Sequence, residues 1–196
     1  MRSKKSVYLL IAGVVVLLLL IYVAVAYNGL VKKEERVNQQ WAEVQSTYQR
    51  RLDLIPNLVN VVKGVSDFEQ GTLENIAAAR AKALSGLQTT TVTSENYAEQ
   101  TRLQDSLAAS VNRLIVVVEK YPVLKATKAY SALQTQLDGT ERRIKVARQD
   151  FNAAIADYNT SVRSSATGLV ARLFGFKVKE GFTADAGSDK AVEIKF

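Results

Sequence analysis

Apolar and polar positions along the chain fall into two patterns. From Val7 to Ala26 there is no charge and no period, only VYLLIAGVVVLLLLIYVAVA. At about 1.5 Å of helix per residue, this 20-residue run reaches about 30 Å, the thickness of a bilayer's hydrocarbon core. Beyond it the apolar residues become periodic. Alternate steps of four and three from Leu30 pass through Glu34, Val37, Trp41, Val44, Tyr48, Arg51, Ile55, Leu58, Val62 and Val65. That spacing predicts a helix from about Asn28 to Val65 with a coiled-coil-like seam facing other helices. Arg51 interrupts the seam. Pro56 lacks a backbone donor and crowds the carbonyl of Leu52, so a kink is expected there.

The later segments follow the same logic. A bend is expected over Ser66–Gly71, then a helix over Thr72–Leu84, broken at Gly86 and followed by the Thr-rich loop to Thr93. Ser94 is placed to cap a third helix, which runs to about Lys120 and ends at Tyr121-Pro122. The last long helix spans Lys125–Ser165, with Tyr130, Leu133, Leu137, Thr140, Ile144, Ala147, Phe151, Ala154 and Tyr158 on one face. Within it, Glu141 and Lys145 have ion-pair spacing, and Gly139 is a weak point or a place of close helix approach. From Ala166 the period fades into a tail with glycines and the aromatics Phe174, Phe176 and Phe182, ending in AVEIKF, which alternates like a short strand. The predicted fold is therefore all-α: an N-terminal transmembrane helix followed by an antiparallel bundle of three or four long helices. In sequence order it divides into a basic tail (1–6), the span (7–26), the bundle (27–165) and an aromatic, glycine-containing tail (166–196).

Composition sharpens this picture mainly by exclusion. The chain has no Cys and no His, which removes thiol catalysis, disulfides, imidazole acid–base chemistry and Cys- or His-ligated metals. The net charge is +7, and Arg2, Lys4 and Lys5 account for three of those charges. The rest are interleaved with acids, without the basic blocks or basic–aromatic alternation of nucleic-acid binders, so no nucleic-acid partner is expected. The basic start and Ala24-Val25-Ala26 would also suit a cleaved signal peptide, but the apolar run is too long for one and an uncleaved anchor in the bilayer is expected. Arg2, Lys4 and Lys5 lie closer to the span than Lys32, Lys33 and Arg36 do. The expected topology is therefore N-terminus inside, large domain outside the cytoplasm.

One cluster stands out as a candidate site: Arg50, Arg51 and Asp53 just before Pro56, with Arg80 on the next helix. These residues suit an anion or a partner's carboxylate. They suit an intramolecular salt-bridge clasp over the kink better, because long cationic stems commonly cover apolar surface. Neighbouring acids such as Glu34-Glu35 read as a solvated face, Asp150 and Asp157 lack the His partners of a di-iron bundle, and Lys63 reads as snorkelling. No phosphate-binding, dinucleotide-binding or serine-hydrolase motif occurs, so no catalytic residue, metal or cofactor is assigned.

Several stretches resemble the LemA family: YNGLV at 27–31, QRRLDLIPNLVNVVKG at 49–64, AAARAKA at 77–83, the long run 121–159 with GTERRIKVARQDFN, and LVARLFGF at 169–176. The sequence departs from the family pattern at Ser164-Ser165-Ala166-Thr167, where a Phe-Pro is usual, so the last long helix is expected to lengthen or to loosen at its end. The resemblance implies a bacterial, single-pass membrane protein with an antiparallel helical bundle, of a kind found in the cell envelope, sometimes with partners that carry a periplasmic domain. It carries no activity and no catalytic residues. The expectation is a non-enzymatic scaffold in the inner membrane that self-associates or binds an envelope protein through its helix faces and aromatic tail. The alternatives are a sensor or enzyme for an anionic envelope ligand using Arg50, Arg51 and Arg80, or a membrane-remodelling protein using basic helix faces.

Overall fold

The computed structural model describes residues 2–64, 69–87 and 94–182. They form six helices in chain order: α1 (Arg2–Lys63), α2 (Gln70–Leu87), α3 (Ser94–Val118), α4 (Pro122–Lys125), α5 (Lys128–Arg163) and α6 (Gly168–Leu173). No strand occurs among the described residues. The strand-like ending at 191–196, residues 66–68 of the bend expected over Ser66–Gly71 and residues 88–93 of the Thr-rich loop lie outside them. α1 is one continuous helix, so the apolar run and the seam expected to begin near Asn28 are not separate elements. It is the one helix among the described residues long and apolar enough to cross a membrane.

The chain divides into two compact units. One comprises Met1–Gln40 with Ala153–Lys179, the other Trp41–Asn152 with Glu180–Phe196. The second unit is a four-helix bundle of α1, α2, α3 and α5. Tyr48 meets Arg148 and Arg51 meets Glu141, so α5 runs antiparallel to α1. Trp41 meets Tyr97 and Arg51 meets Gln104, so α3 runs parallel to α1. Up-down-up-down order follows, as short links between long helices dictate. The seam is its core: Trp41, Val44, Tyr48, Ile55, Leu58 and Val62 are buried, together with Ile76, Leu107, Leu114, Tyr130, Leu137 and Phe151 from the other helices.

Three local expectations change. Gly86 does not end α2. It lies inside that helix, where a Cβ would come within 2.7 Å of Leu103 Cδ1, so the glycine allows α2 and α3 to approach. Gly139, by contrast, has nothing within 4 Å of its Cβ position and marks no close approach. Pro122 does stop α3, but it also starts α4, taking the first helical position where its missing N–H costs nothing and burying Leu124.

The first unit packs the end of α5 and α6 against α1. Val170 and Ala171 are buried with Ala26 and Leu30, and Val23, Val162 and Phe176 close around them. The Ser164–Thr167 turn neither lengthens α5 nor leaves its end loose. α5 stops at Arg163, Thr167 Oγ1 donates to Ser161 O, and the Thr167 N–H donates to Ser164 Oγ. α6 ends in a Schellman motif. Gly175 adopts φ +80°, the Phe176 N–H donates to Ala171 O at 2.9 Å and the Gly175 N–H donates to Arg172 O. Only glycine takes that φ without strain. The turn brings Phe174 and Phe176 onto the Tyr27 ring, with centroids 4.9 and 5.7 Å away.

Candidate functional site

The arginine cluster lies in the bundle unit, and its members have separate partners. Arg51 is buried on the seam. Its Nη1 donates to the Gln104 carbonyl at 3.0 Å and to Gln104 Oε1 at 3.2 Å, while Nη2 pairs with Glu141. One guanidinium thus joins α1, α3 and α5. This occupies Glu141, which by sequence spacing was expected to pair with Lys145. Asp53 is exposed and accepts from Gln49 Nε2 at 2.7 Å, pairing with neither arginine. Arg50 is exposed.

Arg80 explains how α1 continues through Pro56. The missing proline N–H leaves the carbonyl four residues earlier, Leu52 O, without its helical partner. Arg80 Nε, from α2, donates to that carbonyl at 3.0 Å. A partly buried acceptor is thus satisfied from another helix, worth about 1.5–3 kcal/mol for a bond to a charged group.

Near Arg51 lies a buried polar layer, of which the helical period places Tyr97 and Gln104 but not Gln100 on the inner face of α3. Gln100 and Gln104 are buried, and among the described residues Arg51 Nε, Tyr97 Oη, both polar atoms of Gln100 and Gln104 Nε2 have no hydrogen-bond partner. Burial pushes the Tyr97 hydroxyl up to about 12. An aromatic group adjoins this layer: Trp41 meets Tyr97 at 4.5 Å and Phe151 at 5.3 Å, and Phe182 meets Phe151 at 5.4 Å. Phe182 is held there by Asn152, which accepts its N–H at 2.8 Å and donates to its carbonyl at 2.9 Å.

Arg148 is the second cationic junction of this unit. It donates to Tyr48 Oη and Asp105 Oδ1, each at 2.9 Å, and lies over the Tyr48 and Phe182 rings. Burial works against its charge, but Tyr48 and Asp105 outweigh this and hold its pKa above the ordinary value. Burial likewise raises the Tyr48 pKa, partly offset by Arg148. The only hint of these contacts in the sequence is the helical spacing that puts Arg148 one position past Ala147 on the α5 seam.

In the other unit, polar side chains hold backbone. Asn159 accepts the Lys179 N–H at 2.9 Å and donates to the Lys179 carbonyl at 2.7 Å, and Tyr158 Oη donates to Lys177 O. Lys179 pairs with Glu34 at 3.0 Å, and Lys33 with Asp157 at 2.7 Å. Burial, with Glu34 adding to it, pushes the Tyr158 hydroxyl up to about 12. Of the tail aromatics, Phe174 and Phe176 touch the Tyr27 ring in this unit, Phe174 keeping half its surface exposed, and Phe182 touches Trp41 in the other. No group of three or more acidic side chains among the described residues is arranged to hold a metal ion.

Residues 40–196 match the LemA family. Magnetosome protein MamQ 2 of Paramagnetospirillum magneticum is 32% identical over 83 residues, 42% of this chain and 30% of that protein. Magnetosome protein MamQ of Magnetospirillum gryphiswaldense is 31% identical over 83 residues, with the same coverage. Protein LemA of Metamycoplasma hominis is 25% identical over 145 residues, 74% of this chain and 63% of that protein. The matches thus span under a third of the MamQ proteins and under two thirds of the mycoplasma protein.

Proposed function

The chain belongs to the LemA family, and from that membership we propose that it is a membrane-anchored, non-enzymatic interaction protein of the bacterial envelope. Val7–Ala26 is its anchor in the inner membrane, and the bundle lies on the extracytoplasmic side. The protein works by association, with further copies of itself or with an envelope protein. The observation that carries this reading is the use made of the conspicuous arginines. Arg51 is spent on Gln104 and Glu141, and Arg80 on the carbonyl freed by Pro56. An anionic ligand would have to displace bonds that hold three helices together, which weighs against the sensor or enzyme reading. Charge-neutral substitution of Arg51 or Arg80 is therefore expected to lower stability rather than to abolish binding in a stable protein.

Retention of residues 1–26 is supported by the packing of Val23 and Ala26 against Val170 and Ala171, which cleavage after Ala26 would strip away. The intact mass of the protein from membranes tests this directly. Association is tested by chemical crosslinking in intact membranes, followed by affinity purification of the gently solubilised full chain. Higher-order or mixed species are expected, and recovery of monomer alone, with no co-purifying protein, would overturn the proposal. Topology is tested by protease added outside the inner membrane, which should digest the large domain.

A further inference from the structure

The unit that contains the apolar run has a second apolar surface. α6 and its flanks read GLVARLFG, with Arg172 the one charged residue. Val170 and Ala171 face inward onto Ala26 and Leu30. Leu169, Leu173 and Phe174 face outward, 76%, 75% and 50% exposed. A helix apolar on both sides normally has both sides covered.

Where α6 sits on α1 indicates what covers the outer side. Its neighbours Val23 and Ala26 form the last turn of the apolar run, and Tyr22 on that turn donates from its hydroxyl to Ala166 O in the turn leading into α6. If Val7–Ala26 fills the hydrocarbon core, α6 lies within about 6 Å of the run's end, where acyl chains give way to headgroups. The exposed side chains of α6 thus lie at the end of the run where Tyr22 and Val25 are exposed as well.

The backbone gives independent support. A segment entering that zone has to satisfy its polar groups internally, since water is scarce there. The Gly168 N–H donates to Ser164 O, the Phe174 N–H to Val170 O and the Phe176 N–H to Ala171 O, while the Ser161 and Ala166 carbonyls accept from Thr167 and Tyr22 hydroxyls. Arg172 and Lys177 are exposed and suit the anionic headgroup layer just outside it.

We propose that α6 with Phe174 is a membrane-docking element, inserting Leu169, Leu173 and Phe174 into the outer edge of the leaflet through which α1 leaves the bilayer. The occupant of this surface is lipid. The proposal rests on the anchor reading above, and the test separates the two. Because the chain has no cysteine, single-cysteine variants of the full chain can carry one nitroxide each. Suitable positions are V14C in the run, Q49C on the exposed face of the bundle, and L169C and L173C on α6, all in vesicles of phosphatidylethanolamine and phosphatidylglycerol. Circular dichroism checks that each labelled variant keeps its fold.

Collision with oxygen, which concentrates in lipid, is compared with collision with a water-soluble nickel chelate. The expected result places 169 and 173 on the lipid side of Gln49 and shallower than Val14. Three results would overturn the proposal. If 169 and 173 match position 49 while 14 is in lipid, the docking element fails and the anchor stands. If 14 also reports water, the anchor reading fails and the docking element with it. If 169 and 173 are shielded from both reagents, protein rather than lipid covers α6.

Discussion

Residues 7–26 and 41–62 belong to one helix and present opposite surfaces. In the first stretch nearly every side chain is apolar and exposed. In the second, apolar residues recur at three- and four-residue steps and are buried. Both are helical, and apart from the bond lost at Pro56 their backbones are bonded alike, so helix formation does not distinguish them. What differs is the surroundings each is patterned for: a medium apolar on every side, or a stripe of neighbouring helices. The units containing them are also held differently. The bundle relies on large rings and two cationic junctions, Arg51 and Arg148. The other packs Ala26 and Ala171 with Leu30, has its own rings in Tyr27, Phe174, Phe176 and Tyr158 and its ion pairs nearer the surface, and adds hydroxyls and an asparagine that grip backbone.

This contrast can be broken or sharpened by mutation, using the full chain in mild detergent. Phe151→Ala removes a buried ring from the Trp41–Tyr97 group and should lower bundle stability by about 3–5 kcal/mol in denaturant melts followed by circular dichroism. Leu18→Ala, on the exposed run, should leave that midpoint unchanged, and an equal loss from both would erase the distinction. Arg51→Ala should cost about 2–4 kcal/mol, because Gln104 loses two bonds and the space is left empty. Glu141→Gln should cost about 1 kcal/mol or less, since that carboxylate is half exposed and its pairing is screened.

Asn159→Ala should leave the bundle melt alone and loosen only the segment it grips, speeding hydrogen exchange at the Lys179 amide by about tenfold for a loss of about 1.4 kcal/mol. Gly139→Ala, in open space on α5, should stabilise by about 0.5–1 kcal/mol, whereas Gly86→Ala should forfeit that gain because Leu103 has to move.

The smallest effect is that of pH near neutrality. Without His or Cys, stability should be nearly flat from about pH 6 to 9. Tyr97 and Tyr158 keep their protons to about 12 when folded, against about 10 when unfolded. The folded state therefore binds more protons above pH about 10. Their contribution is intact below that pH and is lost as pH rises toward 12, which a series of melts would record.

Much of this architecture is legible in the sequence because it is periodic. The seam positions from Leu30 to Val62 and from Tyr130 to Tyr158 identify buried faces without any long-range knowledge. The period also singles out Arg51 as an exception but cannot name its partners, since Gln104 and Glu141 lie 53 and 90 positions away on other helices. α4 and α6, of four and six residues, are too short to show a period at all. Asn152 and Asn159 look like part of a wet face, and only the folded chain shows them gripping Phe182 and Lys179. Gly86 read as a breaker because helix propensity is local, whereas the closeness of Leu103 is tertiary.

Pro56 has one further consequence. A seam built from similar aliphatic residues is tolerant of sliding: moved by a heptad, Ile55, Leu58 and Val62 would meet much the same surface. The carbonyl that Pro56 frees occurs at a single height on α1, and Arg80 can reach it only when α2 stands at one position alongside. Any shifted alignment separates this partly buried acceptor from its guanidinium, a penalty that the intended alignment avoids. A proline that looks like damage to the helix thereby acts as an index mark, making one alignment of a repetitive surface distinct from its neighbours.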